Sequence, residues 1–277
     1  RAAGAERVLL PTPSWPNHPA IVAAARLERV DVPFFDVSEQ RIDIERLLAG
    51  FAKAEPGDAA LLQVCCHNPL GADLSSEHWA ALAEAACARG LVPLLDLAYQ
   101  GFGDSLEEDV SGARALLERV PEALIAVSGA KNFGLYRERV GALYVKAPAA
   151  ARSAVSSNLA AIARANYSMP PDYGAACVRE VLGDAYLRTA WKEELDAIRA
   201  HIKNTRAALA RARVNSIPMH LIAAQKGMFS TLPLSGEQIA TLRERHGIYM
   251  TDAARINVAG LREADMERFV AALQEVA

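Results

Sequence analysis

A chain of 277 residues is long enough to bury a substantial core, and with 52% hydrophobic and 23% charged residues it has the composition of a folded protein rather than a disordered one. Its formal net charge of -3 provides no field for gathering nucleic acid or anionic lipid, so small molecules are the expected partners. No apolar run approaches the ~20 residues that span a bilayer, no signal-peptide pattern opens the chain, and the cysteines form neither a disulfide framework nor a CxxC pair, which predicts a soluble cytoplasmic protein.

Short apolar runs alternate with longer alanine-rich stretches of helical period, the pattern of βαβ units around a mostly parallel sheet. Val8 to Leu10 is the first candidate strand, and it starts so near Arg1 that a preceding segment is expected. Trp15-Pro16-Asn17-His18 follows it. Ala59 to Val64 is the second, followed by Cys65-Cys66-His67-Asn68-Pro69. Ser75-Ser76-Glu77 predicts the cap and acidic first turn of a helix that buries Trp79, Leu82, Ala83 and Ala86 and closes at Gly90. Leu91 to Asp96, Ala123 to Ser128 and Val140 to Val145 are three more candidate buried strands.

From Asp184 to Arg213 the spacing of Leu187, Trp191, Leu195, Ile198 and Ile202 predicts one long helix able to bridge two domains. Val214 to Met219 contains a proline and breaks that pattern. A smaller α+β unit then follows, with strands at Gly227 to Ser230 and Arg255 to Val258 and helices from Gly236 to His246 and from Glu263 onward. The expected architecture is α/β: a three-layer α/β/α large domain over residues 1–197 and a smaller α+β domain over 198–277.

Polar residues cluster just after the candidate strands, where open α/β sheets place their ligands. Asp96 closes an apolar run, so its carboxylate needs a cationic or proton-donating partner, although a helix cap or a salt bridge would also satisfy it. Lys131 lies between two apolar strands with Arg137 and Arg139 close by, and positive neighbours and partial burial lower a lysine pKa; a solvated surface lysine is the alternative. Together, an aspartate for a pyridinium nitrogen, a lysine for an aldehyde and an arginine for a phosphate are the groups that pyridoxal phosphate requires of its protein. Cys65-Cys66-His67 also offers three possible metal ligands, but adjacent strand residues point to opposite faces, so no metal is expected.

The motifs Ser14-Trp15-Pro16-Asn17-His18, Cys65-Cys66-His67-Asn68-Pro69, Asp96-Leu97-Ala98-Tyr99, Lys131-Asn132-Phe133-Gly134, Arg164-Ala165-Asn166-Tyr167-Ser168 and Arg255-Ile256-Asn257-Val258 run in order along essentially the whole chain. In these the sequence resembles the class I aminotransferases of the aspartate and aromatic branch. The resemblance implies fold type I of the pyridoxal-phosphate enzymes and transfer of an amino group between aspartate, or an aromatic amino acid, and a 2-oxo acid such as 2-oxoglutarate.

It also implies roles. Lys131 would bond the cofactor aldehyde and shuttle the α-proton, Asp96 would hold the ring nitrogen protonated, and Tyr99 and Asn68 would hydrogen-bond the ring oxygen. Trp15 would stack on the ring and contact substrate, Ser128 and Arg139 would bind the phosphate, and His18 would support Asp96. Arg255, with Asn68, would clamp the substrate α-carboxylate. Arg164 would reach the distal carboxylate of a dicarboxylic substrate in a neighbouring subunit, which makes the expected assembly a homodimer with shared sites.

Leu70, Ala130, Met169 and Gln63 depart from the family pattern and are expected to weaken hydrogen bonding around the site. The family's long N-terminal segment, with its glycine-rich phosphate-binding turn, is not in the sequence. Two other readings use the same residues: a pyridoxal-phosphate-responsive regulatory domain without turnover, and another reaction of the same cofactor on the same fold.

Overall fold

Alternation along the apolar runs is what makes them strands, because successive residues bury on opposite faces of one sheet. The computed structural model describes residues 4–277. Its strands are β1 (Arg7–Thr12), β2 (Glu28–Pro33), β3 (Phe35–Asp36), β4 (Arg41–Ile42), β5 (Ala59–Gln63), β6 (Val92–Leu97), β7 (Ala123–Ser128), β8 (Gly141–Lys146), β9 (Phe229–Thr231) and β10 (Arg255–Asn257). Its α-helices are α1 (His18–Ala24), α2 (Ile44–Phe51), α3 (Ser76–Arg89), α4 (Ser111–Arg119), α5 (Arg152–Tyr167), α6 (Tyr173–Gly183), α7 (Ala185–Ala210), α8 (Gly236–His246) and α9 (Glu263–Val276).

The main sheet has the order β2-β1-β5-β6-β7-β8 and is parallel except for β8, which runs antiparallel to β7. Leu9 and Leu62 join one core with Leu47 and Phe51 of α2, Trp79 and Leu82 of α3, and Leu116 of α4. Their neighbours Val8, Leu10 and Leu61 turn to the other face and pack with Val22 of α1. Helices on both faces of a mostly parallel sheet give the expected α/β architecture. β2, with only Val32 buried, escaped the sequence reading because its charged alternate residues hide the strand pattern.

Helix α3 fits its expected bounds because its ends are chemically marked. The Ser75 hydroxyl accepts from His78 N, the His78 ring accepts from Ser75 N, and Gly90 closes the helix in the left-handed conformation at φ 64°. The four expected residues, Trp79, Leu82, Ala83 and Ala86, are the buried ones.

Two expectations need correction. Val140 to Val145 was expected to form a buried strand, but β8 is the exposed edge of the sheet, with Leu143 and Tyr144 at 50% and 60% exposure. An apolar run reports the preference of its side chains and not whether a helix covers them; among the described residues none covers this one. In α7, Leu195 and Ile202 are buried and Trp191 half-buried, whereas Leu187 and Ile198 stand exposed. The buried stripe instead continues through Thr205, Arg206 and Leu209. Leu195 and Ile202 belong to the core of the main sheet, and Leu209 to a second core with Leu232, Ile239, Ile256 and Leu273. α7 therefore runs continuously from one core into the other.

Candidate active site

Parallel strands β1, β5, β6 and β7 all end on one side of the sheet, so the loops that follow them converge there. Register carries this to individual residues: Asp96 pairs with Gln63 on one side and Ala126 on the other. His18 starts α1 just past β1, and its Nε2 lies 2.9 Å from Asp96 Oδ2. Ser14 Oγ lies 2.7 Å from His18 Nδ1. A neutral imidazole satisfies both contacts, donating from Nε2 and accepting at Nδ1. This fixes one carboxylate oxygen of Asp96, while among the described residues no protein group bonds Oδ1.

Asn68 joins the next two groups. Its Nδ2 donates to the Tyr99 hydroxyl at 3.2 Å, and its Oδ1 accepts from Arg255 Nη1 at 2.9 Å. Burial raises the Tyr99 pKa above its ordinary value, against the opposing pull of the Asn68 bond. The phenol therefore keeps its proton and, while accepting from Asn68, can donate that proton to a bound oxygen. Arg255 makes no ion pair among the described residues, which leaves the rest of its guanidinium fork for an anion.

Lys131 is half-buried, with Nζ 5.2 Å from the centroid of the Tyr99 ring. Its pKa is lowered, first by burial and then by the Arg139 charge, with Asp96 pulling the other way. α7 fixes this loop: the Trp191 ring stacks on Phe133 at 4.5 Å, and Trp191 Nε1 donates to Asn132 O at 2.7 Å.

Trp15 is half-buried and meets His18 edge-on at 5.2 Å. Ser128 ends β7 opposite Gly141, and its hydroxyl accepts from Ala130 N at 3.2 Å. Arg139 is exposed at φ 53°, with Nη1 donating to Tyr136 O at 2.9 Å. Thus His18, Asp96, Asn68, Tyr99, Lys131 and Arg255 are brought together by direct contacts or mutual charge, and Trp15, Ser128 and Arg139 flank them. Arg164 is not joined to them: it lies exposed in the last turn of α5.

Several contributors were missed. Phe229 lies under Arg255, with Cζ 4.6 Å from its ring centroid, and meets the Tyr99 ring edge-on at 6.2 Å. A phenylalanine in a short strand carries no sequence mark of such a role. Gln63 was expected to weaken the bonding, but its amide donates to Asn68 O and accepts from Asn68 N, both at 2.9 Å, and its Nε2 lies 3.1 Å from His67 Nε2. Leu70 is wholly buried and belongs to the main core. Burial pushes the His67 pKa down to about 3, so this ring is neutral at physiological pH.

Cys65 and Cys66 lie beyond the end of β5, and their sulfurs converge with Asp109 within 4.8 Å. The Asp109 carboxylate already accepts from the backbone of Gly101, Gly103 and Asp104, and the bond between the thiols, together with burial, holds Cys66 well above its ordinary pKa. A protonated thiol beside a committed carboxylate is a poor metal ligand.

The donor set suits pyridoxal phosphate. Asp96 Oδ1 is available for a ring N–H, the Tyr99 hydroxyl for a ring oxygen, a half-buried amine for an aldehyde, and the exposed Arg139 guanidinium and the strand-end Ser128 hydroxyl for a phosphate.

Comparison with known proteins agrees. Residues 1–273 match the family described as Aminotransferase class I and II. The chain is 48% identical over 264 residues to a tyrosine aminotransferase of Rhizobium meliloti, covering 95% of this chain and 68% of that protein. It is 40% identical over 265 residues to an aspartate aminotransferase of Salmonella typhi, covering 94% and 67%. Among solved structures, an aromatic-amino-acid aminotransferase from Burkholderia pseudomallei, covalently bound to pyridoxal phosphate, superposes with a TM-score of 0.93 at 37% identity, covering 98% of this chain and 69% of that one. From a mostly parallel sheet that gathers an aspartate, a lysine and a tyrosine at one end, with Arg255 bonded to Asn68 beside them, and from these likenesses over nearly its whole length, the chain belongs to the class I and II aminotransferases, enzymes that depend on pyridoxal phosphate.

Proposed function

We propose that this aminotransferase moves an amino group between aspartate, or an aromatic amino acid, and a 2-oxo acid such as 2-oxoglutarate, with Lys131 as the residue that moves the proton. The observation that carries the reading is the linked cluster of Arg255, Asn68 and Tyr99 beneath the Lys131 amine. Pyridoxal phosphate, when bound, supplies the carbonyl carbon that receives the amino group and a ring that accepts the electron pair left at the substrate α-carbon.

The residues divide the tasks. Asp96, oriented by His18 and Ser14, accepts the ring N–H and holds that proton in place. Tyr99 and Asn68 donate to the ring oxygen, Trp15 packs against the ring, and Ser128 and Arg139 bind the phosphate. Arg255 grips the α-carboxylate while Asn68 keeps its fork turned inward. Lys131 Nζ takes the proton from the α-carbon and returns it one position away, a role suited to an amine whose burial lowers its pKa.

The reading includes a homodimer in the cytoplasm. Arg164 of one subunit would meet the distal carboxylate of a dicarboxylic substrate in the other subunit's site. Support comes from the exposed apolar residues around α5 and α6, where Tyr167, Met169 and Tyr173 are 57%, 78% and 69% exposed. Among the described residues no helix is long and apolar enough to cross a membrane. The reading also divides the chain into a large domain, 1–197, whose first three residues lie outside the described ones, and a small domain, 198–277, with the boundary inside α7.

Steady-state transamination with tyrosine or aspartate as donor and 2-oxoglutarate as acceptor tests the catalytic assignment. Lys131→Ala is expected to lose about 10²–10⁴-fold in kcat. A Lys131→Ala protein that turns over like the parent would sink it.

A further inference from the structure

Arg206 is 1% exposed, and among the described residues no carboxylate lies within ion-pair distance of it. Burying a guanidinium without a counter-ion is costly unless other dipoles replace water. Here they do. Nη2 donates to the carbonyls of Gly227 and Phe229, both at 2.7 Å, and of Lys226 at 3.1 Å. Nη1 donates to Ser230 Oγ at 2.8 Å and Gln225 Oε1 at 3.4 Å. Burial pushes the Arg206 pKa down to about 10, which still leaves it charged at neutral pH.

These bonds gather one turn of chain, and that turn leads into the site. Phe229 emerges from it with its ring under Arg255 and its edge against Tyr99. The same turn is tied to the Asn68 loop: Lys226 N donates to Gly71 O at 2.7 Å, and the Thr231 hydroxyl to Pro69 O at 3.1 Å. The crossing is so close that a Cβ on Gly71 would stand 2.5 Å from Phe229 O and 3.1 Å from Arg206 Nη2. Arg206 thus stands where α7, the Phe229 turn and the Asn68 loop meet, and the latter two carry the groups that hold Arg255.

We infer that Arg206 is a positioning residue for recognition of the substrate α-carboxylate, fixing Phe229 and the Asn68 loop so that Arg255 is aimed before substrate arrives. The inference rests on the reading of Arg255 as the carboxylate clamp. A group that acts only through Arg255 affects ligands that carry a carboxylate and spares those that do not. General loosening of the fold affects both.

The test uses the full-length, cofactor-loaded protein and two unreactive or slow ligands: a 2-methyl amino acid, which lacks the α-hydrogen, and the matching amine without the carboxylate. Calorimetry gives both Kd values, and steady-state kinetics with an ordinary amino acid gives the split between KM and kcat. Arg206→Met is expected to weaken the 2-methyl amino acid about tenfold, leave the amine unchanged and raise KM more than it lowers kcat. Arg206→Lys, which keeps a charge but fewer donors, should recover part of the loss. Equal weakening of both ligands, or of neither, overturns the inference. Should Arg206→Met not fold, Phe229→Leu carries the same expected signature, and its failure to show it is equally decisive. Arg255→Leu in the same assay separates the two ideas: if it spares carboxylate discrimination, the clamp reading fails, and if it abolishes discrimination while Arg206→Met does not, only this inference fails.

Discussion

Lys131 feels a carboxylate and a guanidinium with opposite effects on its proton. Burial and Arg139 lower its pKa, while Asp96 raises it. In the cofactor-free protein the pH dependence of Lys131 acylation should therefore turn below the ordinary lysine value of about 10.4. Arg139→Gln should move that midpoint up and Asp96→Asn should move it down; movement in the same direction for both would contradict the electrostatic account. At this scale much of the site was legible, because a polar residue at the end of an apolar strand has few reasons to be there, and Asp96, Asn68, Ser128 and Lys131 all carry that mark. Phe229 and Arg206 carry none: their roles come from contacts across long sequence separations, such as the 23-residue offset from Arg206 to Phe229.

Among elements, α3 and α4 show how one residue without a side chain can set a packing distance. A Cβ on Gly112 would stand 2.0 Å from Trp79 Cδ1, and Trp79 is 3% exposed. Alanine ordinarily favours a helix over glycine by about 0.5–1 kcal/mol. Here the overpacking outweighs that gain, and Gly112→Ala is expected to destabilise the protein by about 1–3 kcal/mol in chemical denaturation. A stabilised variant would mean that α3 and α4 do not meet as described. The bounds of α3 and α8 could be read because serine caps and left-handed glycines mark them. The exposure of β8 could not, since Leu143 and Tyr144 look the same in sequence whether covered or not. In α7 the periodic apolar residues outnumber those that find a core, and Arg206 interrupts the stripe with a buried charge.

Across the whole molecule, α7 is the member that makes two cores act together, carrying Ile202 in the first and Leu209 in the second. The shared-site dimer is a prediction at this scale. Sedimentation should find two chains per particle, and mixing Lys131→Ala with Arg164→Ala subunits should restore part of the aspartate activity that each lacks, since one site of each hybrid contains both native residues. Failure to recover activity in verified hybrids would remove Arg164 from the neighbouring site. α/β alternation was visible in the sequence because it recurs along the chain, whereas the assembly depends on surface residues that leave no periodic trace.

The central claim, that Lys131 carries the cofactor and the cofactor carries the amino group, is tested most directly by the absorbance of the purified protein with pyridoxal phosphate, followed as tyrosine or aspartate and then 2-oxoglutarate are added. The expected result is a band that requires Lys131, is discharged by the amino acid and returns with the 2-oxo acid. A band that persists unchanged in Lys131→Ala, or that no amino acid discharges, would contradict the account.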